Sequence, residues 1–188
     1  MTTHTLHGLR ALISGLLCCL LATGCMPGPR LPAPDLHRPA TSHLIEGLPF
    51  HPQETYQCGP ASLAGVMNHL GYEVAPDTIA DAIFRKDLHG TLSLDLALYP
   101  RTVGLKSRFY EGSVADLMAA VDADIPLVVM VDNGVGPVSS YHFMVVAGYA
   151  PDAVIVNSGR TRGQRLPWSD FIPTWDRAGR WTLRVERP

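Results

Sequence analysis

The residue best suited to covalent chemistry is Cys58, which stands at the start of a predicted helix. Residues 59–70 carry apolar side chains at helical spacing, Pro60 suits the first turn, and Gly71 suits the end. Unpaired backbone N–H groups and the positive end of the helix would favour a thiolate there. The pattern therefore predicts a nucleophile, although a free cysteine is also common as a small buried apolar residue.

A candidate base, His142, lies near the polar start of a mostly apolar predicted strand, residues 141–148. A rigid strand is a suitable support for a base. A histidine by itself is more often a satisfied core or surface residue. Its combination with Cys58 predicts a nucleophile–base pair.

Asn157 follows the next predicted strand, residues 153–156, and is the candidate that would orient the imidazole. If residues 149–152 form a four-residue hairpin loop, Asn157 lies opposite Met144, on the same face as His142. This register predicts a Cys–His–Asn triad, whereas a loop one residue shorter sends Asn157 to the other face. Because a Ser-Gly pair follows, Asn157 also suits a turn.

The amino-terminal segment predicts export. Residues 1–24 read as a signal peptide with an apolar run from Ala11 to Leu21, and the small residues before Cys25 resemble a lipobox. Lipid on Cys25 would hold the chain at a membrane, facing the periplasm or the cell exterior; a plain secretory signal is the alternative. Residues 25–42 are rich in proline and predict a tether, which leaves residues 43–188 as the folded domain.

Composition excludes several functions. The chain has 188 residues, with 15 basic and 17 acidic side chains spread along it, so a nucleic-acid-binding surface is not expected. No HExxH or CxxC spacing occurs, and neither a metal site nor a cofactor is predicted. Nothing in the sequence points to an oligomer. After loss of the signal and lipidation of Cys25, Cys58 is the only free cysteine, which excludes an intramolecular disulfide.

The order of predicted elements indicates an α+β domain. After the helix that begins near Cys58, further helices are predicted over 76–84, 93–103 and 113–123. Strands are then predicted over 126–131, 141–148, 153–156 and 181–185. Helices first and strands second are typical of a helical half packed on an antiparallel sheet.

Three local patterns carry a family resemblance: QETYQCGPAS over 53–62, YHFMVVAGY over 141–149, and the polar Asn157. The chain resembles the bacteriocin-processing (double-glycine leader) peptidases and their stand-alone relatives, within the papain-like cysteine peptidase superfamily. The resemblance implies a papain-like fold and a peptide or protein substrate. It also implies Cys58 as nucleophile, His142 as general base, Asn157 as the orienting residue and Gln53 as an oxyanion donor. Gln53 could instead fix a loop.

Hydrolysis of a peptide bond by a thiolate and an imidazole is thus the leading functional hypothesis. A similar cysteine at a helix start occurs in phytochelatin synthases, so transfer of the acyl group to an amine or thiol is an alternative. A non-catalytic peptide-binding module on the same scaffold is the second alternative.

Overall fold

A computed structural model describes residues 39–53 and 57–188 of this chain. The predicted signal peptide, Cys25 and the tether as far as residue 38 lie outside the described residues. The described residues belong to one compact unit. Within the described part, no helix combines the length and the apolar character needed to cross a membrane.

Five α-helices are described, and four of them follow the predicted helices to within two residues at each end. The fifth, near the carboxyl end, was not predicted and contains an internal proline, Pro173. The helices are α1 (Cys58–His69), α2 (Pro76–Ile83), α3 (Ser93–Thr102), α4 (Val114–Asp122) and α5 (Trp168–Arg177).

Seven strands form one antiparallel sheet, which confirms the predicted α+β papain-like fold class. They are β1 (His43–Leu44), β4 (Lys106–Glu111), β5 (Leu127–Asp132), β6 (Tyr141–Tyr149), β7 (Ala153–Ser158), β8 (Thr161–Pro167) and β9 (Trp181–Glu186). The strand order is β4-β9-β5-β6-β7-β8, and β1 also pairs with β6. Two short strands, β2 (Phe84–Arg85) and β3 (Gly90–Thr91), form a separate ribbon.

Helix α1 packs against the sheet and forms the centre of the core. Residues 59–67 of this helix are all buried. Gly65 allows the backbone before the helix to pass very close, because an added Cβ would lie 2.9 Å from the carbonyl oxygen of Pro49. This close approach fixes the segment that ends at Gln53 against the helix that begins at Cys58.

The β6–β7 hairpin differs from the predicted register. The chain turns over residues 151–152, where Ala150 and Ala153 exchange backbone hydrogen bonds, rather than over four residues. An extra residue, Ala147, then forms a β-bulge in β6. Asn157 consequently lies opposite Val145 instead of Met144. The predicted register is wrong, because this one-residue difference turns Asn157 to the other face of the ladder.

Candidate active site

Cys58 occupies the first residue of α1, where the helix has no side-chain cap. The first N–H groups of a helix lack intrahelical partners. Those of Cys58 and Gly59, together with the N–H of Phe143 in β6, act on the Cys58 sulfur and lower the pKa of its thiol. Burial raises the pKa of the Cys58 thiol and outweighs these hydrogen bonds, which lower it. The predicted N–H donors are therefore present, but the expected lowering of the pKa is not, so the resting group is a thiol.

His142 is the second residue of β6 and lies opposite Val131 of β5. Its Nε2 lies 2.9 Å from the hydroxyl oxygen of Ser158, the last residue of β7. Burial lowers the pKa of the His142 imidazole. The ring is therefore neutral near pH 7, and Nδ1 is the ring nitrogen that the Ser158 hydroxyl does not contact.

Cys58 and His142 line one pocket of about 560 Å³, so the structure brings the two principal predicted residues together. Two segments far apart in sequence, residues 88–92 and 140–143, supply most of the remaining wall. None of the lining residues is Asp, Glu, Lys or Arg. The full lining is Gln53, Cys58, Leu88, His89, Gly90, Thr91, Leu92, Ser140, Tyr141, His142, Phe143 and Gly159.

Gln53 reaches the same pocket, as predicted from the QETYQCGPAS pattern. Its backbone N–H donates to the carbonyl oxygen of Gly159 at 3.1 Å, which ties it to the turn after β7. The residue is 8% exposed, and its Oε1 has no hydrogen-bond partner among the residues that the structure describes. The backbone bond also fits the loop-fixing alternative, so the two readings of Gln53 are compatible.

Asn157 does not join this pocket. It is buried, and its Oδ1 accepts a hydrogen bond from the backbone N–H of Gly163 at 2.9 Å. It lines a different cavity, of about 10 Å³, together with His51, Ser62 and Val145. The predicted contact between Asn157 and His142 is therefore replaced by one from Ser158, and Asn157 holds the β7–β8 hairpin.

Sequence reasoning missed two features of the site: the Ser158 partner of His142 and one segment of the pocket wall. Ser158 had no signal beyond its position next to Asn157, because a bulge at an alanine leaves no mark in the sequence. The ribbon of β2 and β3, with the connection between its two strands, contributes residues 88–91 of the wall. Its strands have two residues each, too few for an alternating pattern to be read.

A thiol at a helix start that shares a pocket with an imidazole on an antiparallel sheet is the arrangement of the papain-like class of cysteine peptidase. Residues 45–182 match the Peptidase_C39 like family, and the chain belongs to that family. It is accordingly a cysteine-type peptidase.

Three solved structures share the fold. A Bacillus anthracis protein described as a C39-like peptidase is 17% identical, with a TM-score of 0.64, over 78% of this chain and 98% of its own. The peptidase domain of Streptococcus ComA is 23% identical, with a TM-score of 0.60, over 78% of this chain and 98% of that domain. A double glycine motif protease from an AMS/PCAT transporter, solved in complex with the leader peptide, is 19% identical, with a TM-score of 0.59, over 78% of this chain and 99% of that protease. No curated protein sequence matches this chain.

Proposed function

We propose that this chain hydrolyses peptide bonds, with Cys58 as the nucleophile and His142 as the general base. The observation that carries the proposal is that both side chains line one pocket, with the Cys58 sulfur held by backbone N–H groups. Those groups lie where negative charge develops when the thiol gives up its proton.

The reaction starts from the neutral pair. Nδ1 of His142 takes the proton from the Cys58 thiol while the sulfur attacks the carbonyl carbon of the substrate. The tetrahedral oxyanion collapses, the C–N bond breaks, and the imidazolium gives its proton to the departing amine. Water then attacks the thioester with the imidazole again as base, which releases the acid and restores the thiol.

The oxyanion is held by the backbone N–H of Cys58 and by the side-chain amide of Gln53 in this proposal. The position of Gln53 in the pocket wall supports its role. A donor aimed at a developing oxyanion contributes on the order of 10²–10³ to the rate.

The substrate is a peptide with uncharged residues beside the scissile bond. The lining carries no Asp, Glu, Lys or Arg, while Leu88, Leu92 and Phe143 offer apolar contact. A charged side chain entering the pocket would lose its hydration without a partner of opposite charge. One neighbour of known structure is in complex with a leader peptide, which supports a peptide as the ligand here.

The proposal also places the enzyme at the cell envelope, as an exported lipoprotein with lipid on Cys25 and a proline-rich tether. Expression of the full chain and of Cys25→Ser, followed by cell fractionation, tests this placement. We expect the parent chain in the membrane fraction and the variant in the soluble fraction. Identical soluble behaviour of both chains would overturn the anchor.

Activity is tested with the mature chain, a peptide library and a thiol-directed peptide probe. Cys58→Ala removes the nucleophile, so we expect cleavage and labelling to fall by about 10³-fold or more while circular dichroism stays unchanged. Equal activity of the variant and the parent contradicts the proposal. Mass spectrometry of the products separates hydrolysis, which gives a free acid, from transfer to an added amine or thiol.

A further inference from the structure

The surroundings of His142 contain one partner that the predicted triad did not include. The Ser158 hydroxyl oxygen lies 2.9 Å from Nε2, a normal hydrogen-bond distance. Asn157, the residue predicted for this role, instead accepts from the N–H of Gly163. Two consecutive residues of β7 therefore have separate partners.

The β6–β7 ladder explains why Ser158 and not Asn157 meets the ring. Residues directly opposite each other in an antiparallel pair point to the same face. Asn157 lies opposite Val145, so the two share a face. Ser158, one residue further on, shares the face of His142, and a diagonal neighbour lies within side-chain reach.

We propose that Ser158 is the positioning residue for His142, in the role that the Cys–His–Asn prediction gave to Asn157. The inference rests on the proposed peptidase function and adds to it the group that selects the ring tautomer. The Ser158 oxygen accepts the Nε2–H of the neutral imidazole, so Nδ1 is unprotonated and available to the Cys58 thiol.

A hydroxyl acts differently from a carboxylate at this position. A carboxylate would fix the tautomer and also stabilise the imidazolium by its charge. A serine adds only a dipole, so the His142 pKa stays low, in the direction that burial already gives it. Because a hydroxyl can also donate, Ser158 selects the Nε2–H tautomer only through the acceptor role proposed for it.

No carboxylate or cation of the described pocket wall competes with Ser158 for the ring. Asp132, on the neighbouring strand β5, accepts hydrogen bonds from the backbone N–H groups of Gly134 and Ser140 in its own loop. The titratable groups that share the pocket with His142 are Cys58 on α1, His89 before β3 and Tyr141 on β6.

Three substitutions at Ser158 test the role through kcat, KM and the pH profile. Ser158→Ala removes the acceptor, and we expect kcat to fall about tenfold with little change in KM, as for the loss of one hydrogen bond. Ser158→Thr keeps a hydroxyl and should recover most of that loss. Ser158→Asp adds a negative charge, and the acid limb of kcat/KM should move to higher pH by about one unit.

Ser169→Ala is the matched control, because Ser169 is exposed on α5 and bonds its neighbour Asp170. We expect this control to behave as the parent in every assay. If Ser158→Ala retains the kcat and pH profile of the control, the proposal is overturned. A loss of kcat with a shifted profile in Asn157→Ala, and not in Ser158→Ala, would return the role to Asn157.

Nuclear magnetic resonance of the His142 ring separates this inference from the peptidase proposal, because it needs no turnover. We expect the parent ring to carry its proton on Nε2, and Ser158→Ala to mix the tautomers and change the ring titration. Identical ring signals and titrations in the two chains overturn the positioning role even if cleavage is observed. The expected ring change without any Cys58-dependent cleavage would uphold the positioning role and reject the peptidase.

Discussion

Two cavities lie beside the open end of the β6–β7 hairpin, where His142 and Asn157 are found, and they differ in size and in the residues that line them. The pocket with Cys58 and His142 measures about 560 Å³, while the small cavity behind Asn157 measures about 10 Å³. Gln53 lines both. The pocket has room for substrate atoms, whereas the small cavity, which polar and apolar residues line together, does not. The neighbouring residues Ser158 and Asn157 therefore have different roles: Ser158 contacts the imidazole of the reactive pocket, and Asn157 holds the backbone of the β7–β8 hairpin.

The largest expected difference is between two half-buried histidines, one beside each cavity. Burial lowers the pKa of both His142 and His51, so their titration alone does not separate them. His142→Ala should lower kcat/KM by about 10³-fold or more, because the base is lost. His51→Ala should leave kcat unchanged and lower stability by about 1 kcal/mol, through loss of the hydrogen bond to Asn68. Kinetics and urea unfolding of both variants test this. Similar activity of the two variants would contradict the assignment of His142 as the base and His51 as a structural residue.

The pH dependence of activity should follow the shifted pKa values of His142 and Cys58 in the pocket. His142 must be neutral to act as a base, and burial lowers its pKa below the ordinary value of 6.5. Activity should therefore persist as the pH falls through 6.5 and be lost only at lower pH. Burial raises the Cys58 pKa, which moves the alkaline limb upward. A kcat/KM profile with its acid limb above pH 6.5 would contradict this account, and His51→Ala should reproduce the parent profile.

A moderate effect is expected at Asn157, and it concerns stability. Asn157→Ala leaves the backbone N–H of Gly163 without its acceptor and opens space beside the small cavity. Loss of a buried hydrogen-bond partner costs about 1–3 kcal/mol. We expect a lower free energy of unfolding in urea, with kcat per folded molecule within about threefold of the parent. A large loss of kcat at unchanged stability would move Asn157 into the pocket chemistry.

The smallest effect is expected at Ser62, which faces the small cavity from α1. Its hydroxyl is buried and has no hydrogen-bond partner within the described residues. Ser62→Ala removes a polar group that gains nothing from burial, so the free energy of unfolding should stay within about 1 kcal/mol of the parent or rise slightly. Thermal unfolding measures this. A loss of several kcal/mol would show that the hydroxyl has a bonding partner.

The parts of the fold that could be predicted from the sequence are those with local signals. Cys58 precedes a proline and an apolar helical period, and the strand with His142 is a long apolar run. Both elements form where predicted. Strand β4 was missed because four of its six residues are exposed and charged or aromatic side chains dominate it, as on an edge strand.

The orienting residue could not be predicted, because its position depends on the length of the β6–β7 turn and on whether β6 contains a bulge. A two-residue turn and a bulge at Ala147 each shift the pairing, and nothing in an alanine signals a bulge. The prediction chose the right hairpin and the wrong neighbour. Because successive side chains of a strand point to opposite faces, an error of one residue in the register puts Asn157 on the face of His142, where the structure has Ser158.

The ribbon of β2 and β3 pairs within itself and stands apart from the seven-stranded sheet. It nevertheless supplies Leu88, His89 and Gly90 to the wall beside Cys58. Substitution in the connection between β2 and β3 breaks no ladder of the main sheet, whereas Thr91 of β3 lies against Gly59 of α1 and ties the ribbon to the helix that carries the nucleophile. Substitutions at the exposed residues Leu88 and His89 could therefore change which peptides the enzyme accepts, while Cys58 and His142 stay in place.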